Sequence, residues 1–91
     1  MYVILIYDIN TEKNQKVLSK VFKICKKYLF HVQKSVFEGE LTKSQLFKLK
    51  KELENTIRKD VDSIIIFKSR NEKWLSKDFL GKSETSTDNL L

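Results

Sequence analysis

Of the residues able to do chemistry, Asp8 stands out by its position. It closes the run YVILIYDI, in which Val3, Ile4, Leu5, Ile6, Tyr7 and Ile9 suit a buried strand. A carboxylate there either caps the next turn or is placed to act, since loops at strand ends are common sites of function. No second acid forms a close local pair with it. Mg²⁺, however, needs only one or two protein carboxylates when water and phosphate supply the other ligands. A two-fold axis near this strand end would bring in the Asp8 of a second chain. Such a pair could hold one metal against a phosphodiester, where the metal polarises the phosphoryl oxygen and lowers the pKa of a bound water.

The other candidates are plainer. His31 could carry a proton or contact a phosphate, although a single histidine before a strand is more often a polar surface residue. Tyr7 and Phe37 could stack on bases, but residues of these types in strands are more often core. Ser35 has no acid–histidine arrangement in sequence, so a serine hydrolase is a poor reading. Cys25 falls on the apolar side of a helix and is expected to be inert packing. Neither a G-x-x-x-x-G-K-[ST] loop nor a G-x-G-x-x-G pattern occurs. The aromatic and glycine pattern of an RNA recognition motif is missing as well.

The elements that must position these residues follow from periodicity. Tyr2 to Asp8 reads as a first strand. Val17, Leu18, Val21, Phe22, Cys25, Tyr28 and Leu29 then recur at steps of three and four, an amphipathic helix. Lys16, Lys20, Lys23 and Lys27 form a stripe of positive charge on its other side. FHVQKSVFEGEL alternates as a strand, with Glu38-Gly39-Glu40 interrupting, and predicts a hairpin whose glycine marks a bulge or turn. Thr42 and Gln45 stand at capping-box spacing before a second helix with the inner stripe Leu46, Leu49, Leu53 and Ile57. DSIIIFK is another strand. A short final strand is expected through Trp74, Leu75, Phe79 and Leu80.

This β-α-β-β-α-β order predicts an α+β, ferredoxin-like domain over residues 1–82, with both helices on one face of an antiparallel sheet. Residues 83–91 read as a polar, mobile tail. A sheet with one wet face should alternate apolar and polar residues, and neither YVILIY nor SIIIF does. The helix-free face therefore needs a cover, and a second copy of the chain is the economical one. A homodimer with opposed sheet faces is expected.

Composition bounds the rest. Ninety-one residues allow one core, and a single cysteine excludes an internal disulfide. No apolar run approaches the roughly 20 residues that span a bilayer, and no signal peptide is apparent, so a cytoplasmic protein without membrane partners is expected. Eighteen basic against twelve acidic residues leave a net charge of +6, which suits a polyanionic partner. All but Arg58 and Arg70 are lysine, however, and lysine also serves as soluble surface filler.

VILIYDI, VQKSVFEGEL and DSIIIFK, in this order and spacing, resemble the CRISPR-associated Cas-two family over residues 1–82. The resemblance implies a ferredoxin-like homodimer and a metal-dependent endoribonuclease, with some members acting on duplex DNA. It also implies spacer acquisition together with an integrase partner, the Cas-one protein. It places the metal-binding aspartate at Asp8, bound to Mg²⁺ (or Mn²⁺) shared across the dimer, with Tyr7 and Phe37 beside it in the catalytic centre. His31 stands where the family often has arginine, and Lys13 and Lys16 where it often has basic residues early in the first helix; with Lys20 of the lysine stripe they are the candidate nucleic-acid contacts. A non-catalytic DNA-binding scaffold dimer and a ribonuclease-like toxin on the same fold are the alternative readings.

Overall fold

The computed structural model describes residues 1–82. Four strands, β1 (Tyr2–Asp8), β2 (Phe30–Gln33), β3 (Val36–Glu40) and β4 (Ser63–Ser69), alternate with the helices α1 (Lys16–Tyr28) and α2 (Lys43–Glu54). The sheet order is β2-β3-β1-β4, with every neighbouring pair antiparallel. This is the ferredoxin-like plan expected from the element order, so β1 is central and its C-terminal end is framed by both neighbouring strands.

Alternation along β1 sorts its side chains between two environments. Val3, Leu5 and Tyr7 point to the helices and are buried, together with Ile9 just beyond the strand. They meet Phe37 of β3, Val21 and Cys25 of α1, and Leu46, Leu49 and Leu53 of α2 in one core. Burial pushes the Cys25 thiol up to about 12, which keeps it protonated and unreactive. On the other face Ile6, Ile65 and Phe67 remain 37%, 53% and 55% exposed, and Phe30 reaches 74%. The apolar character of both parities in β1 and β4 thus has two causes. One set builds the core, and the other forms an uncovered apolar surface.

The capping box of α2 forms as its spacing predicts. Gln45 N–H donates to Thr42 Oγ1 at 3.1 Å, and Thr42 N–H donates to Gln45 Oε1 at 2.9 Å. The opening of α1 has no such box; Asn14 Oδ1 instead accepts from Lys16 N–H at 2.9 Å. Lys13 therefore lies in the loop before the helix and Lys16 is its first residue. The helices are tied to each other by Glu52, which accepts from both Lys27 Nζ and the Tyr28 hydroxyl.

Two sequence expectations change. The hairpin turn is at Lys34–Ser35, not at Glu38-Gly39-Glu40, which lies within β3. Gly39 is there for space: a Cβ would come within 3.2 Å of the Leu29 side chain. Lys34 takes a positive φ of 35° to make the turn, a conformation uncommon outside glycine, asparagine and aspartate. The short final strand is also absent from the described residues. Glu72–Trp74 form a 3-10 turn, and residues 75–80 have no regular structure. A strand exists only through pairing, and this segment pairs with none of the four. It is held instead by a Lys77–Glu38 ion pair across the open face. The expected tail, 83–91, lies outside the described residues.

Candidate active site

Asp8 is the last residue of β1, exposed, on the open side of the sheet. Its register partner is Ser63, the first residue of β4, and two residues back along the same face Ile6 lies between Val36 and Ile65. The carboxylate therefore sits at the border of the uncovered apolar surface. The opposite border is polar. There Tyr2, about 20 Å away along a strand of this length, faces Glu38; burial and the Glu38 carboxylate push its hydroxyl up to about 12.

The chain leaving Asp8 is pinned by a cluster that periodicity did not reveal. Asp62, buried just before β4, accepts from Asn10 N–H at 2.8 Å through Oδ1. Its Oδ2 accepts from Arg58 N–H at 2.8 Å and from Arg58 Nε at 2.9 Å. Arg58 Nη2 closes the ring, donating to Asn10 O at 2.7 Å and Asp62 Oδ1 at 3.0 Å. The hydrogen bonds from the Arg58 side chain outweigh burial and hold the Asp62 carboxyl down at about 2, from an ordinary value of 3.8. Asp62 is thus a permanent anion that clamps the exit of β1 onto the entry of β4. The i,i+4 spacing of Arg58 and Asp62 was the one available signal, and it pointed equally to a solvated surface pair.

The remaining candidates do not gather around Asp8. Tyr7 and Phe37 lie on the helix side of the sheet, both buried, with ring centroids 6.0 Å apart. They brace β1 from behind. His31 packs edge-on to Phe22 at 4.9 Å and tilted over Phe37 at 4.8 Å. Its Nε2 lies 2.8 Å from Lys34 O, and a carbonyl only accepts, so Nε2 carries the proton. His31 holds the turn. Lys16 and Lys20 are exposed on α1, across the sheet from Asp8, and Lys13 is exposed in the loop between β1 and α1. One protomer therefore carries its candidate acid on one face and the lysines of α1 on the other.

A metal ion would have to accept this donor set. Among the described residues no three His, Cys, Asp or Glu side chains cluster to hold one. Among the described residues a single chain offers Asp8 alone, which suits a hard, largely hydrated cation, and a second copy would complete the pair. No helix among the described residues is long and apolar enough to cross a membrane.

Comparison with known proteins agrees with this fold and motif order. The family model described as "CRISPR associated protein Cas2" matches residues 1–77. A protein of Fusobacterium nucleatum named CRISPR-associated endoribonuclease Cas2 is 53% identical over 92 residues, covering 100% of this chain and 87% of that protein. A protein of the same name from Methanosarcina acetivorans is 40% identical over 91 residues and 100% of both chains. A crystal structure described as Cas2 superposes with a TM-score of 0.77 at 35% identity, covering 100% of this chain and 98% of the other. Streptococcus pyogenes Cas2 gives a TM-score of 0.73 at 33% identity over 87% and 99% of the two chains. The match spans the sheet, both helices and the strand that ends in Asp8, and the chain belongs to the CRISPR-associated Cas2 endoribonuclease family.

Proposed function

We propose that this chain works as a homodimer with opposed sheet faces, cleaving phosphodiester bonds at a Mg²⁺ site shared by two Asp8 carboxylates. The observation that carries the reading is the place of Asp8: exposed, at the end of the central strand, at the edge of an uncovered apolar face. Covering Ile6, Ile65 and Phe67 with their counterparts removes apolar area from water. A two-fold axis near the strand end would then bring the two carboxylates together. The bound metal would supply a polarised phosphoryl oxygen and a water of lowered pKa. In this reading Asp8 binds and orients, while Tyr7 and Phe37 keep β1 in place without touching substrate. The Arg58–Asp62 clamp fixes the loop that follows Asp8.

RNA is the first substrate in view, because the named relatives are endoribonucleases, with duplex DNA the second. In the cell the dimer would join the Cas-one integrase in spacer acquisition. A second reading rests on a different observation, the exposed lysines of α1 and of the loop before it. It is a scaffold dimer whose Lys13, Lys16 and Lys20 grip phosphates while the integrase does the chemistry, and it has no need of Asp8.

Purified Asp8→Asn dimer, assayed on single-stranded RNA and duplex DNA with and without Mg²⁺, separates the two. Loss of a metal ligand should lower metal-dependent cleavage by at least about 100-fold, more than loss of an outer-sphere partner does. Cleavage that survives Asp8→Asn overturns the catalytic reading. Lost cleavage with intact spacer acquisition in cells assigns the cellular role to the scaffold.

A further inference from the structure

On the helical side of the sheet, behind the end of β1, lies a groove of about 730 Å³ between the first half of α1 and the β2–β3 turn. Its apolar floor is made by Tyr7, Leu18 and Phe22. Lys16 and Lys23 of α1 and Lys34 of the turn stand around it, with the hydroxyls of Ser19 and Ser35 between them. Among the described residues its lining contains no aspartate or glutamate. That distinguishes Lys23 and Lys16 from Lys27, farther along the same helix, whose charge is met by Glu52. Lys16 and Lys23 are seven residues apart, two helical turns or about 10 Å, on one face of α1.

The combination is more specific than a basic stripe. A duplex presents phosphates and keeps its base faces stacked inside, so it would use the lysines and leave the apolar floor wet. An unpaired nucleotide offers both parts: a flat ring for the aromatic and aliphatic floor, and a phosphate for the ammonium groups. We propose that this groove binds one unpaired nucleotide of a single-stranded nucleic acid, its base against Leu18 and Phe22 and its phosphate between Lys16 and Lys23. His31 is a positioning residue for the groove. Its Nε2–H donates to Lys34 O and its ring packs against Phe22 and Phe37, so it holds the positive-φ turn that carries Lys34 and Ser35. The groove and Asp8 lie on opposite faces of one strand end, and the binding proposed here does not require cleavage.

The test therefore uses full-length Asp8→Asn protein without metal, followed by amide chemical shifts. The probes are a single-stranded hexanucleotide, a duplex of the same length, a mononucleotide and inorganic phosphate. The single strand should shift the amides of Ser19, Lys23 and Ser35 and bind about five-fold or more tighter than the duplex, the lower end of what one stacked base contributes. Ser19→Trp fills the groove from an exposed helix position and should abolish that preference while leaving duplex binding intact. Lys23→Glu should weaken the single strand more than the duplex. His31→Gln keeps a donor and should retain the preference that His31→Ala loses. Equal binding of both probes, or shifts confined to other surfaces, overturns the proposal. Inorganic phosphate matching the single strand overturns the role of the floor. A mononucleotide matching the hexanucleotide reassigns the groove to free nucleotides and overturns the strand assignment.

Discussion

The two faces of the sheet solve different problems with the same residue types. On the helical side, Val3, Leu5, Tyr7 and Phe37 are buried by the chain's own helices, and charge is carried outward on lysines. On the open side, Ile6, Ile65 and Phe67 have no cover within the described residues, and the charge at their edge is a carboxylate, Asp8. The first face is complete in one chain. The second is complete only if something else supplies the missing layer. The difference separates folding from assembly: a residue of the helical face stabilises the protomer, whereas an open-face residue acts on what the protomer joins.

The sharpest way to break that comparison is to place a charge on the open face. Phe67→Glu leaves the core untouched, because Phe67 faces away from the helices. An unpaired charge buried in the proposed interface costs several kcal/mol, so the dimer dissociation constant should rise by about 100-fold or more. Light scattering at micromolar concentration should then report monomer, with the circular dichroism of the wild type. A protein that is monomeric before the substitution contradicts the covered-face argument outright.

Asp62→Ala tests the connection between the faces. It removes a buried acceptor of four N–H groups and should cost roughly 2–3 kcal/mol in urea unfolding. The clamp also predicts a pH dependence with a definite sign. The Asp62 carboxyl is held at about 2 in the folded protein, below its ordinary 3.8. Its stabilisation is therefore fully present above about 4 and is lost as the pH falls from there toward about 2. Wild-type stability should decline through that window more steeply than that of Asp62→Ala.

Reversing Lys20 on the helical face should act on nucleic acid alone. Lys20→Glu is expected to weaken duplex binding by about ten-fold and to lower the salt slope by about 1–2, without changing the dimer or its sequence preference. The smallest effect belongs to Thr42→Ala, which opens the capping box for about 1 kcal/mol. That should lower Tm by about 4–8 °C and leave cleavage at permissive temperature unchanged.

Much of this architecture was legible beforehand. Helical spacing located both stripes, the Thr42–Gln45 pair marked the start of α2, and the unbroken apolar runs marked β1 and β4. Asp8 was visible because a carboxylate interrupts such a run. The parity that decides which side of β1 meets the helices was not visible, since both parities are apolar. The hairpin was legible but its turn was not located, because glycine signals both conformational freedom and close approach. Gly39 serves the second use against Leu29, and Lys34 takes the positive φ with its carbonyl held by His31. The Arg58–Asp62 clamp joins segments nearly fifty residues apart, beyond the reach of local spacing. The same holds for the groove behind Tyr7, assembled from a helix, a turn and a strand end.

The central claim is that Asp8 acts as half of a site shared across the open face. Dimers assembled from wild-type and Asp8→Asn chains in varied proportion test it directly through metal-dependent RNA cleavage. A shared site needs both carboxylates, so activity should follow the square of the wild-type fraction and fall to about a quarter at equal mixing. A linear decline, with about half the activity at equal mixing, would mean that each Asp8 works alone, and would contradict the account.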